Sequence, residues 1–283
     1  SVALVPEKES GALIQLSNRQ EIGKINVVFP VLHGPFGEDG TMQGLLKLAN
    51  IPFVGASVLG SALGMDKDAM KRLLKHAGIP TAKFVVIREG ENISPTKIIR
   101  QLGLPLFIKP ANMGSSVGVT KVKKRDHLKR ALRDAFKFDN KILVEGFVAG
   151  REIECAVLGN ENPIASVAGE IIPQHGHEFY SYDAKYIDPD GALLKAPVEL
   201  PKHILKKVQH MAIASFKALC LEGMARVDFF LRSNGEVVVN EVNTIPGLTP
   251  QSLFPKACKL QPSTSYKILT LVALRQDHVK AEN

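Results

Sequence analysis

The stretch "MARVDFFLRSNGEVVVNEVN", residues 224–243, constrains the fold more than any other part of the chain. Two runs rich in β-branched and aromatic residues flank Asn234-Gly235, the strongest two-residue signal for a β-hairpin. If those two residues form the turn, Ser233 pairs with Glu236. Counting outward then sets Asp228 opposite Glu241 and Arg226 opposite Asn243. Side chains alternate along a strand, so these four share one face while Val227, Phe229 and Val242 take the other. Two carboxylates directly across a strand pair repel. A divalent cation between them resolves the repulsion, and Asp, Glu and Asn oxygens are the hard ligands Mg²⁺ takes. On its own, the same face also reads as a polar, solvent-facing surface.

Around this hairpin the chain alternates strand and helix. "INVVFPVL" and "IPFVGA" read as strands bracketing a Gly-rich turn, "HGPFGEDG", and a helix, "TMQGLLKLAN". "MDKDAMKRLLKHAG" is an amphipathic helix with a closing Gly. "AKFVVI" is a strand, and "SPTKIIRQLG" a helix with a Ser cap and Pro in its first turn. "LPLFIKPA" is a strand, "HLKRALRDAFKF" a helix and "KILVEGFV" a strand. From Arg151 the strands lengthen, in "REIECAVLGN" and "PIASVAGEII". A polar loop from Gln174 to Leu193 leads to a helix from Lys202 to Leu221. The pattern is mixed α/β (α+β) with an antiparallel C-terminal part.

Composition narrows the function. With 283 residues, 45% of them hydrophobic, the chain can build two or three modest domains. No apolar run reaches the roughly 18 residues of a membrane span, so no membrane role is expected. The three cysteines lack metal spacing, and a reduced, cytoplasmic protein is the simplest reading. The net charge of +8 draws in part on "KVKKRDHLKR", Lys121 to Arg130. That run carries no aromatics and no nucleic-acid motif, so it reads as a solvated strand end and helix start. The remaining excess suits an anionic small substrate such as a nucleotide.

Two more segments carry chemistry. "FIKPANMGSSVGV" sets Lys109 at a strand end before a small, flexible loop whose amides and hydroxyls can approach phosphates closely. It lacks the Gly-Lys-Ser/Thr of a P-loop, and a simple turn is the plainer meaning. Lys67, on the "MDK" helix, is a second cation able to reach phosphate. "VEGFVAGRE" sets Glu145 at a strand end and Glu152 beyond it, acids able to bond an adenine amino group or a ribose hydroxyl.

In this order the pieces resemble the ATP-grasp superfamily, and within it the D-alanine–D-alanine ligases. "HGPFGEDGTMQGLL", "GSALGMDK", "FIKPANMGSSVGVTKV", "EGFVAGREIE", "FYSYDAKY", "GMARVDFFL" and "NEVNTIPGLTPQSLFP" carry the resemblance from about Val27 onward. It implies a three-domain fold, divided at 1–55, 56–147 and 148–283, with ATP between two antiparallel sheets. Lys67, Lys109 and Lys185 would contact phosphates. Glu145, the backbone near Phe147, and Glu152 would hold adenine and ribose. Asp228, Glu241 and Asn243 would bind two Mg²⁺, for which Mn²⁺ can substitute. Arg226 and the Gly247 N–H would form the oxyanion site. His33 would lie near the first D-alanine, and Ser252 and Leu253 would meet the carboxylate of the second. Ser115 and Tyr186 would help close the site. The implied activity is ligation of two D-alanines through D-alanyl phosphate, for peptidoglycan precursors, by a homodimer. Alternatives are a D-alanine–D-lactate ligase or a nucleotide-binding module without ligase activity. One departure stands out. Nothing in Ser1 to Lys24 matches the family's Glu-bearing segment for the first alanine's ammonium, so the N-terminal domain is expected to be incomplete.

Overall fold

In the computed structural model, residues 1–6, 11–92, 94–176, 182, 187–188, 190–249 and 252–259 are described. Three antiparallel sheets organise them. The first is a meander of β1 (Val2–Pro6), β2 (Gly11–Gln15) and β3 (Glu21–Ile25). It occupies a segment in which sequence reading places no element. Beyond Ile25, which ends β3, the expected strands at residues 25–32 and 51–56 reduce to one parallel bridge, Val28 to Phe53. Val27, Phe29, Val31 and Leu32 keep exposed side chains, so little burial holds that run in a ladder.

Helices α1 (Thr41–Leu48), α2 (Val58–Met65) and α3 (Lys67–His76) follow. α2 is a helix the sequence reading misses; its mix of Gly, Ser and Ala shows no stripe, and the Ser57 side chain caps it. At the start of α3 the Asp66 carboxylate accepts from the N–H groups of Asp68 and Ala69, at 3.0 and 3.1 Å. A carboxylate cap there satisfies orphan amides and opposes the positive helix end, worth about 1 kcal/mol. The buried face of α3 is unusual. It consists of Lys67, Asp68, Met70, Lys71 and Leu74, so charged residues form most of a face that should be apolar.

The second sheet has the order β4-β7-β5-β6, from β4 (Phe84–Arg88), β5 (Leu106–Pro110), β6 (Thr120–Val122) and β7 (Lys141–Gly146). Helices α4 (Pro95–Leu102) and α5 (Leu128–Ala135) bury Ile98, Leu128 and Leu132 against Leu106, Ile108 and Val144. α4 starts as the sequence suggests, with the Ser94 side chain capping Lys97 N–H and Pro95 in the first turn.

The third sheet has the order β10-β9-β8-β11-β12, from β8 (Arg151–Leu158), β9 (Ile164–Pro173), β10 (Ala192–Lys195), β11 (Met224–Leu231) and β12 (Val237–Asn243). Helix α6 (Lys202–Ala218) seals one face, packing Val208, Ala212 and Phe216 on Ile153, Cys155, Val157, Val227 and Phe229. Each of the Val, Ile and Phe side chains contributes roughly 1.5–3 kcal/mol by leaving water. Strand alternation turns Glu152, Glu154, Ala156 and Leu158 to the opposite face. There helix α7 (Leu253–Lys259) covers the apolar end through Phe254 and Cys258, which pack with Ala156, Leu158 and Met224. The polar end of that face remains, and it is where the site forms.

Candidate active site

The β11–β12 hairpin sets the centre of the site by a route the sequence count does not foresee. The turn holds three residues, Ser233, Asn234 and Gly235, rather than two. Arg232 N–H donates to Glu236 O (2.9 Å), Gly235 N–H donates to Arg232 O (3.0 Å), and Gly235 alone is left-handed, at φ +80°. Only one residue then needs positive φ, where the two-residue turn would need two. The extra residue shifts the ladder to Leu231–Val237, Phe230–Val238 and Phe229–Val239. A bulge at Asn240 absorbs it. Asp228 therefore faces Glu241, and Arg226 faces Asn243, as the count expects.

The facing carboxylates are neutralised by cations in the structure. Arg226 grips Asp228 with two bonds of 2.7 Å and reaches Glu154 Oε1 at 3.2 Å. Asn243 Nδ2 donates to Asp228 at 3.0 Å, and Lys67 Nζ lies 3.9 Å from Glu241. Burial acts to lower the Arg226 pKa, but Asp228 and Glu154 outweigh it and hold the guanidinium firmly charged. Among the described residues no three His, Cys, Asp or Glu side chains gather as a metal cluster. The hairpin offers two carboxylates and one amide instead.

Across from it lies a buried cluster of lysines. Lys67 Nζ donates to Met113 O at 2.5 Å. Lys109 Nζ meets Glu145 Oε2 at 2.7 Å and Asn240 Oδ1 at 3.1 Å. Lys71 Nζ meets Glu145 Oε1 at 3.0 Å and Asn240 O at 2.9 Å. Burial pulls Lys67 and Lys71 below the ordinary lysine range. For Lys109 burial is outweighed by Glu145 and Glu241, and its pKa rises. Burial would raise the Glu145 pKa, but Lys109 and Lys71 bring it down to about 2.

The loop after β5 bridges the two halves. Asn112 pins its start, donating from N and Nδ2 to Asp139 at 2.7 and 3.0 Å. Ser115 and Ser116 are both left-handed, at φ +54° and +60°. That conformation costs a non-glycine residue of order 1–3 kcal/mol, and such outliers concentrate at ligand sites. Ser116 lines a first cleft of about 1140 Å³, open mouth included, together with Lys67, Lys109, Glu145, Phe147 and Glu152. Ser115 lines a second of about 1050 Å³ with His33, Gly247, Ser252 and Leu253. Arg226, Glu154 and Glu241 border both.

The second cleft rests on a clasp between distant segments. Glu38, on the Gly-rich turn, accepts from Gly34 N–H (2.6 Å) and Ile245 N–H (3.3 Å). Burial pushes its carboxyl above the usual range. His33 Nδ1 lies 3.0 Å from Ile245 O. A carbonyl only accepts, so Nδ1 is the donor in this contact. Gly247 sits so close to Ser252 that a Cβ would fall 2.8 Å from its hydroxyl.

The structure thus gathers fourteen of the sixteen residues selected from sequence into two adjoining clefts or onto the β11–β12 face beside them. Lys185 and Tyr186 lie outside the described residues. Sequence reading misses Lys71, Glu38, Asn240 and Glu154. Lys71 carries one signal, its place one helical turn after Lys67. Asn240 carries none, since a bulge cannot be read from alternation.

Two antiparallel sheets closing on a cleft, with buried lysines on one wall and paired carboxylates on the other, define an ATP-grasp enzyme. The chain belongs to the D-alanine–D-alanine ligase family. The model for the D-ala D-ala ligase N-terminus matches residues 3–56, and that for the C-terminus residues 73–272. The similarity therefore begins well before Val27, where the motifs alone first carry it. The chain is 51% identical over 277 residues to a D-alanine–D-alanine ligase of Shouchella clausii, covering 96% of this chain and 74% of that protein. It is 49% identical over 258 residues to D-alanine–D-alanine ligase A of Escherichia coli, covering 90% and 70%. Among solved structures, D-alanyl-alanine synthetase A from Vibrio cholerae superposes with a TM-score of 0.86 at 30% identity, covering 98% and 84% of the two chains. The VanG D-Ala:D-Ser ligase from Enterococcus faecalis gives 0.83 at 37%, covering 96% and 79%. No helix among the described residues is long and apolar enough to cross a membrane.

Proposed function

We propose that this chain joins two D-alanines into D-alanyl-D-alanine, with ATP consumed through a D-alanyl phosphate. One observation carries the reading: the lysine-lined cleft and the His33–Ser252 cleft share Arg226, so a nucleotide and an amino acid would meet at one cation. A carboxylate is a poor electrophile. The γ-phosphoryl group of ATP passes to a carboxylate oxygen of the first D-alanine, and ADP leaves. Lys67 and Lys109 counter charge on the phosphates. The neutral amine of the second D-alanine then attacks the acyl carbon, loses its proton and expels phosphate. Arg226 and the Gly247 N–H stabilise the tetrahedral oxyanion, a role worth about 3–4 kcal/mol per donor in other enzymes.

Glu145 and Glu152 border the nucleotide cleft and would take adenine and ribose, with the backbone near Phe147 beside them. His33 would face the first D-alanine; Ser252 and Leu253 would hold the carboxylate of the second. Asp228, Glu241 and Asn243 present hard oxygen donors on one face, a set that fits Mg²⁺ or Mn²⁺. Two such ions, when bound, would neutralise the transferring phosphoryl group. Acyl phosphates hydrolyse, so Ser115 on the strained loop, with Lys185 and Tyr186, would close the site against water. The divisions 1–55, 56–147 and 148–283 are the proposed domains. The test is ADP release by the purified protein. Release that depends on D-alanine and yields the dipeptide supports the reading. ATP binding without D-alanine-dependent release would make the chain a binding module, and preferential ester formation with D-lactate would change the acceptor.

A further inference from the structure

Lys71 has no part in the chemistry above, yet it is among the most completely buried side chains of the protein, with 1% of its side chain exposed. It borders neither cleft. Its ammonium meets the same two residues as Lys109: Glu145 on β7 and the bulged Asn240 on β12. Lys71, Glu145, Lys109 and Asn240 form a closed ring joining α3, both sheets of the nucleotide cleft and the strand that carries Glu241. Burying an ammonium is costly, and a methionine would fill the same space at less cost. A purely structural role therefore explains this lysine poorly.

The ring suggests a reason. Lys109 lines the cleft, where phosphates would compete with Glu145 for its charge. If Lys109 were the sole partner of Glu145, turning it toward a phosphate would strand a buried carboxylate. With Lys71 in place, Glu145 keeps a counter-ion. We infer that Lys71 is a positioning residue that frees Lys109 for nucleotide phosphates by holding Glu145 and Asn240 from behind. This rests on the nucleotide site proposed above.

The experiment is calorimetric titration of the whole chain with a non-hydrolysable ATP analogue. Four proteins are compared: wild type, Lys71→Met, Glu145→Gln and the double variant. We expect Lys71→Met to weaken binding at least tenfold, with the KM for D-alanine changed less than threefold. In the Glu145→Gln background the same Lys71→Met change should alter binding less than threefold, because no carboxylate then holds Lys109 back. A role in packing alone predicts the same loss in both backgrounds. Should Lys71→Met not fold, a folded double variant that binds within threefold of Glu145→Gln upholds the inference. Wild-type affinity in Lys71→Met overturns it, as does a double variant that fails to fold or binds at least tenfold more weakly than Glu145→Gln. A wild-type protein that binds no analogue at all overturns the nucleotide site itself.

Discussion

Glu145→Gln removes the carboxylate that pairs directly with two buried lysines, Lys71 and Lys109, and its cost can be worked from the structure. Burial acts to raise the Glu145 pKa; Lys109 first and Lys71 second overcome it, leaving the carboxyl at about 2 against an ordinary 4.5. A gap of that size means the folded state favours the ionised carboxylate by about 3 kcal/mol. Glutamine keeps the shape but not the charge, and two buried ammoniums then face a neutral amide. At about 2–4 °C per kcal/mol for a chain somewhat smaller than this one, Tm should fall by about 6–12 °C. Differential scanning calorimetry at pH 7 measures it. The pH dependence follows from the direction of the shift. A depressed folded pKa contributes stability that is full above about 4.5 and is lost as pH falls toward about 2. The gap between wild type and variant should therefore narrow between pH 5 and pH 3. A gap below about 1 kcal/mol at pH 7, or one unchanged across that acid range, would refute the reasoning.

Three further outcomes are expected. Asp228→Asn should cut turnover at limiting magnesium at least a hundredfold while the circular dichroism spectrum is unchanged; near-normal turnover would remove Asp228 from the metal site. Lys109→Ala should weaken binding of an ATP analogue more than tenfold by calorimetry, and unchanged affinity would reduce the Gly/Ser loop to a simple turn. Gly247→Ala places a Cβ 2.8 Å from the Ser252 hydroxyl; it should lower kcat at least tenfold and leave ATP affinity within twofold, so equal losses in both would argue against a local effect.

Much of the fold is legible in the sequence because burial is one-sided. The period of "MDKDAMKRLLKHAG", the Ser94-Pro95 start of α4 and the β-rich runs around Asn234-Gly235 each match an observed element. Helix α2 escapes because Gly60, Ser61 and Gly64 hide its face. The run at residues 25–32 misleads in the opposite sense: its apolar side chains promise a strand, and beyond Ile25 at the end of β3 only Val28 forms a bridge among the described residues. Residue type is a guide to burial, and burial guides structure only where a partner surface exists to receive the side chain.

The site is legible for a different reason and illegible at particular atoms. Asp228 and Glu241 could be paired by counting, yet the count succeeds through two departures that cancel, a longer turn and the Asn240 bulge. Those departures have a use. A bulged residue is released from the ladder, and Asn240 turns its carbonyl to Lys71 and its side chain to Lys109. Had the turn held two residues with no bulge, Asp228 would still face Glu241, but Asn240 would sit in register within β12. The regular hairpin would present the carboxylates without tying them to the lysine wall. Left-handed Ser115 and Ser116, the crowded Gly247 and the buried charges of α3 break local rules in the same small region. Propensity and periodicity describe what a chain does where nothing else is demanded of it. Their concentrated failure around Arg226 marks where the structure is shaped by what it must hold.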